Sequence, residues 1–304
     1  MIDAPLAKSG QTPTAVRRIG ALVADLEVES AALRALGWVE GRNLLVERRD
    51  TERDELLQPL AEELVRLKVE IIVTDGTPAA LAAKNATTTI PIIISAGDPV
   101  RSGLVASLAR PGANITGFSL AGPEIDAKKL SLLRELVPGL QRVGVLENST
   151  NPHFRAVRKE FEQTCRSLGL QPIIIEVAEA GELENAIAEM ARRQAQALFV
   201  QGDGLFFDNR VPLISAALRY ALPAVAGVKV LLEAGALVTY GNSGAERRQR
   251  RAAFIDKILR GAKPADLPIE QPTRFELGIN LKTAKALGIT VPQTLLLRAD
   301  EVIQ

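Results

Sequence analysis

The residues of this chain whose types suit chemistry are short, polar and placed just after apolar runs. Asp75-Gly76-Thr77-Pro78 follows the β-branched run at 69–74 and precedes an alanine-rich stretch ending at Asn85. Ser95, Ala96 and Asp98 follow IPIIIS, Asn148 follows RVGVL, and Gln201 and Asp203 follow ALFV. Ser119, Tyr240 and Asn242 stand in or beside two β-like segments, 114–119 and 237–240, that read as crossovers between lobes. Groups of this kind offer hydrogen bonds to a small polar ligand. Thr77 is a good N-cap and Pro78 fits the first helical position, so the N–H groups at this helix start suit a carboxylate. Asp203 carries the charge to pair with a ligand ammonium. Taken singly, each of these residues is an ordinary turn former. Their recurrence on one edge of two sheets is what points to a binding cleft.

Bond-breaking chemistry finds little support. The single cysteine, Cys165, lies in the helical pattern FEQTCRSLG and reads as a small buried side chain rather than a nucleophile. His153 is the single histidine, which rules out multi-histidine metal sites and leaves one residue for any Ser-His-Asp arrangement. The patterns GxxxxGK[ST], GxGxxG after a strand, HExxH and GxSxG do not occur, and Gln201-Gly202-Asp203-Gly204 is only a glycine-spaced loop. The sequence therefore reads as a non-enzyme without a cofactor or metal. A net charge of +1 gives no reason to expect nucleic acid. The run ERRQRR reads as a solvated helix face beside the apolar stripe Ala252, Ile255, Leu259. No apolar run is long enough to span a bilayer, and residues 1–15 read as a flexible lead-in with no hydrophobic core of a secretion signal.

The elements that must position the polar residues alternate along the chain. Strands are expected at 15–23, 44–48, 69–74 and 90–95, with helices at 29–36, 53–67 and 77–85, which is a doubly wound parallel lobe. A short helix at 103–109 should stop at Pro111-Gly112. The same grammar restarts with helices at 125–136, 154–168, 183–193 and 206–220 and strands at 142–146, 172–177, 197–201 and 224–226. A helix at 245–259, a proline-rich connector at 261–272, a strand at 275–280 and a helix at 281–287 complete the chain. At 304 residues with 47% apolar content, two lobes around a cleft are expected. The boundaries are 16–118 plus 243–304 for the first lobe, the placement of 262–304 being open, and 119–242 for the second.

Several long stretches carry a family resemblance: LGWVEGRNLLVE, ELVRLKVEIIVTDGTPAALAAK, DPVRSGLVASLARPGANITGFS, KLSLLRELVPG, EAGALVTYG, and the run from KILRG to DEVI. They closely resemble the substrate-binding proteins of ABC transporters, and in particular tryptophan- or tyrosine-binding extracytoplasmic members. The resemblance covers nearly everything after Ile19. It implies an α/β fold of two Rossmann-like doubly wound lobes joined by crossover hinge strands, the type I periplasmic-binding-protein architecture. It further implies closure on a small ligand, ABC permease and ATPase subunits as partners, contact with a membrane only through them, and no chemistry on the ligand. By resemblance, Gly76, Thr77, Asp98, Ser119, Asn148 and Asp203 fall on cleft-lining positions. The chain departs from the family in a shortened first strand-to-helix loop at 24–33, in Gly227-Val228-Lys229 where aromatic and arginine residues are common, and in Asn242 where proline is common. The expected ligand is an amino acid or similar small carboxylate, with Phe206, Phe207 and Tyr240 available for stacking. A cytoplasmic sensor of the same fold is the alternative.

Overall fold

The computed structural model describes residues 15–51, 53–120 and 122–304; residues 1–14 of the expected lead-in lie outside the described residues. The first sheet comprises β1 (Arg17–Leu22), β2 (Leu44–Arg49), β3 (Ile71–Asp75), β4 (Ile92–Ala96) and β5 (Ile115–Ser119), in the order β2-β1-β3-β4-β5 and parallel throughout. Helices α1 (Ser30–Ala35), α2 (Leu57–Arg66) and α3 (Thr77–Ala86) connect its strands. The uninterrupted apolar runs are explained by burial on both faces, since Ile71, Ile72 and Val73 are all fully buried. Alanines 79, 80 and 83 of α3 are buried as well, their small side chains letting the helix sit close to α2 and the sheet.

The second sheet is built from β6 (Arg142–Asn148), β7 (Gln171–Val177), β8 (Ala197–Val200), β9 (Ala224–Ala226) and β10 (Val238–Asn242). Its helices are α4 (Pro123–Leu136), α5 (Pro152–Ser167), α6 (Leu183–Arg192), α7 (Gly204–Asp208), α8 (Arg210–Arg219) and α9 (Lys229–Glu233). The chain then runs through α10 (Gly244–Leu259), β11 (Phe275–Asn280), α11 (Leu281–Ala286), α12 (Gln293–Leu296) and β12 (Glu301–Ile303). The strand order is β12-β11-β10-β9-β8-β6-β7, with β10 and β11 antiparallel.

Three expectations need correction. The segment 103–109 forms no helix: Gly103 turns with φ +71°, and the N–H groups of Leu104 and Val105 both reach back to the Pro99 carbonyl. The helix expected at 206–220 divides at Asn209 into α7 and α8. The segments at 114–119 and 237–240 are the ladder-bonded strands β5 and β10, and the chain crosses between the lobes directly after each.

The last correction concerns the C-terminal residues. β11 and β12 join the second sheet, because β11 zips onto β10 from Val238 opposite Ile279 to Asn242 opposite Phe275. Leu277, Ile279, Ala284 and Leu295 then fill the second lobe's core beside Leu130, Val143 and Phe199. The first lobe keeps α10, whose Ala252, Phe254 and Ile255 pack with Trp38 and Phe118. It also keeps the connector after α10, since Glu270 N–H donates to Gly117 O at 2.8 Å and Ser119 N–H donates to Glu270 O at 3.0 Å. The chain thus passes between lobes after Ser119, after Asn242, and between Glu270 and Phe275. Glycine is required at Gly241 on one of these passages: a Cβ there would lie 1.7 Å from the Gly227 carbonyl oxygen.

Candidate functional site

The carboxyl ends of both sheets face one cleft of about 1610 Å³, where open α/β sheets place their ligands. Gly76, Thr77, Ser95, Ala96 and Asp98 line it from the first lobe. Asn148, Gln201, Asp203, Tyr240 and Asn242 line it from the second. Ser119 does not reach it. Its hydroxyl donates to Gly97 O at 3.1 Å and its backbone is tied to Glu270, so it serves the crossover.

The first wall centres on the start of α3. The N-cap is Gly76, at φ +88°, and not Thr77, which is the first helical residue. No side chain caps this helix and no acidic residue occupies its first turn. The first N–H groups of a helix have no partner within it, so those of Thr77 and Ala79 are unmatched within α3, Pro78 having none. The long helices beside it differ. Asn151 caps α5 through His153 N–H at 3.0 Å, and Ser243 caps α10. At the start of α4, Glu124 and Asp126 stand in the first turn, where they offset the positive end of the dipole.

Directly before Gly76, the Asp75 carboxylate receives Arg251 at 2.8 Å on both oxygens. Arg251, 1% exposed, also donates to Glu29 at 2.8 Å. Burial raises the Asp75 carboxyl, but Arg251 and then Arg247 outweigh it and hold the group below its ordinary value. Glu29 goes the other way: its burial outweighs Arg251 and raises it. The basic helix α10 is therefore not simply a solvated face. Arg251 stands one turn before Ile255 on its inward side, a spacing visible in the sequence, but its charge masks the signal.

The opposite wall is organised by Asp203, 6% exposed. One carboxylate oxygen accepts from Asn148 Nδ2 at 3.0 Å and from Leu205 N–H at 2.9 Å; the other accepts from Asn151 Nδ2 at 2.7 Å. Burial raises this carboxyl despite those three donors. Asp203 thus caps α7 and orients two asparagines, both of which line the cleft. Asn242 donates to Leu120 O at 3.2 Å across the passage between lobes, while its Oδ1 is buried without a partner. Tyr240 stacks on Phe275 with centroids 5.6 Å apart. Phe207 lines the cleft; Phe206 is fully buried in the core and is unavailable for stacking on a ligand.

The lobes also touch across the cleft mouth. His153 Nδ1 accepts the Asp98 N–H at 3.3 Å, Thr150 donates to Asp54 at 2.5 Å, and Arg101 pairs with Glu160 at 2.6 Å. Sequence patterns gave no notice of these contacts, since each joins residues of different lobes.

Two α/β lobes linked by several crossing segments, with a polar cleft between their strand ends, define a two-lobed ligand-binding module. The chain belongs to the ABC transporter substrate binding protein family, whose model matches residues 25–303. A tyrosine-binding protein of Clostridioides difficile (strain R20291) is 29% identical over 261 residues, covering 85% of this chain and 74% of the relative. The fold is shared with a Streptococcus pneumoniae ABC domain in complex with L-Trp, at a TM-score of 0.86 and 24% identity over 95% of this chain and 100% of that one. A ligand-free, open substrate-binding protein with adhesive properties from Clostridium difficile matches over the same shares at 25% identity, with a TM-score of 0.66. No helix among the described residues is long and apolar enough to cross a membrane.

Proposed function

We propose that this chain is the solute-binding component of an ABC importer and that it captures an amino acid, or a similar small carboxylate, between its lobes. The observation that carries this reading is the uncapped start of α3 facing, across the cleft, the polar wall of Asn148, Asn151 and Asp203. The helix start provides two N–H donors and a positive dipole end for a carboxylate. A carboxylate offers about four acceptor sites, and Asp203 uses three, which leaves one for a ligand ammonium. Phe207 and Tyr240 on the cleft wall supply apolar area for a side chain. The tyrosine- and tryptophan-binding relatives favour an aromatic one.

Closure is a hinge motion about the three crossing segments. Its support is the row of contacts at the cleft mouth and the greater likeness to the L-Trp complex than to the open, ligand-free structure. The remaining proposals, that permease and ATPase subunits receive the ligand-loaded protein and that it acts outside the cytoplasm, rest on family membership.

Isothermal titration against the twenty L-amino acids tests the reading, with Thr77→Val and Asp203→Ala as variants. At least one amino acid should bind the wild type. Full affinity in both variants would remove the site assignment.

A further inference from the structure

Helix α10 carries two arginines one turn apart, Arg247 and Arg251, and their surroundings are opposite. Arg251 is buried and fully engaged by Asp75 and Glu29. Arg247 stands one turn closer to the start of the helix, where Gly244 and Ala245 line the cleft, and lines the cleft itself. Residues four apart share a helix face. Arg247 therefore overhangs the same strand end that Arg251 clasps, and that end delivers Gly76 and Thr77. Its field reaches both Asp75 and Glu29.

The Arg247 side chain forms no ion pair or hydrogen bond among the described residues, and its Nε is buried without a partner. An arginine carries five donors in a planar fork that fits a carboxylate edge-on. Arg247 lines the cleft and its guanidinium holds no ion pair or hydrogen bond among the described residues, so the fork is available to an acceptor that enters there. Local charge points the same way. Glu29 and Asp75 set two carboxylates against the single Arg251 guanidinium, and an anion arriving at Thr77 would meet that excess unless a second cation balanced it.

We propose that Arg247 closes on the ligand's carboxylate opposite the start of α3, and that it sets the preference of this cleft for acids over their neutral counterparts. This rests on the amino-acid-binding reading above and adds the residue that reads the ligand's charge.

The test is calorimetric titration of the wild type, Arg247→Gln, Arg247→Lys and Arg250→Gln with the twenty L-amino acids. Each amino acid that binds is then compared with its carboxamide, and the melting temperature of every ligand-free variant is recorded. Arg250 makes the same charge change on the same helix, but it does not line the cleft and is held by Glu270. The wild type should prefer the acid over the amide, and Arg247→Gln should lose about 10- to 100-fold in affinity for the acid and little for the amide. Arg247→Lys should fall between them at an unchanged melting temperature, and Arg250→Gln should bind as the wild type does. Arg247→Gln retaining the wild-type preference would overturn the role of Arg247 and leave the binding function standing. That role also falls if Arg247→Lys binds the acid as tightly as wild type while Arg247→Gln is merely less stable. A wild type that binds none of the twenty would overturn both.

Discussion

Arg251 and Glu29, 222 residues apart in the chain, meet at 2.6 Å beneath the cleft floor. The pair pins α10, which arrives after the whole second lobe, to the loop before α1, and with Asp75 it fixes the strand end on which α3 begins. Its removal should be felt globally. Arg251→Met leaves Glu29 and Asp75 without their buried counter-charge, and breaking such a pair costs about 3–5 kcal/mol. Urea unfolding followed by circular dichroism checks it; a loss under about 1 kcal/mol would show that the cluster contributes little.

On the proposed closure, His153 should make ligand binding sensitive to pH. Burial pushes its imidazole below the ordinary value; Asp126 and Asp98 oppose this and Arg101 adds to it, with a net lowering. A depressed basic group contributes stability above its unfolded value, near pH 6.5, and that contribution is lost as pH falls through the folded value. Protonated Nδ1 also cannot accept the Asp98 N–H. Ligand affinity should therefore drop as pH falls below about 6.5, the unfolded histidine value. His153→Gln should flatten the profile; an unchanged pH slope in that variant would assign the effect to another group.

Gly97 faces His153 so closely that a Cβ would lie 2.5 Å from the ring's Cε1. Gly97 belongs to the first lobe and His153 to the second, so opening the lobes relieves the clash. Gly97→Ala should leave the ligand-free melting temperature within about 1–2 °C, the surface-substitution range, and weaken ligand binding about tenfold or more through the lost closed population. Small-angle scattering with saturating ligand reads it directly: equal compaction in both proteins would contradict the clash.

Asp203→Ala removes the cap of α7 and strands two amide donors. A cap is worth about 1 kcal/mol and an unmet buried donor about 1–3 kcal/mol. Asp203→Asn keeps a capping side chain but offers Asn148 and Asn151 one acceptor instead of two, so its thermal stability should fall between wild type and Asp203→Ala. Equal melting of the two variants would show that orientation of the asparagines is immaterial to stability.

The sequence displays the alternation of buried runs and helices plainly, because a strand covered on both faces needs continuous apolar residues, as at Ile92, Ile93 and Ile94. Strand ends follow from those runs, and so the candidate residues other than Ser119 lie on the cleft wall. Long-range pairing was not legible. Nothing local in FELGIN says that it lies against VTYGN and so belongs to the second sheet. The apolar spacing at 103–109 resembles a helix, but Pro99 and Gly103 favour a turn whose carbonyl collects two N–H groups. Arg251 reads as exposed since its partners lie 176 and 222 residues away. Asp203 is recognisable as polar and edge-placed; that its oxygens are already shared with Asn148 and Asn151 is a property of the folded wall.

A crystal structure of the chain grown with an amino acid that gives a calorimetric signal tests the central claim most directly. The ligand should lie between the two sheets' carboxyl ends, its carboxylate at the N–H groups of Thr77 and Ala79 and its amino group toward Asp203. Density for that amino acid on an outer face, with the cleft between the lobes filled only by solvent, would contradict the account.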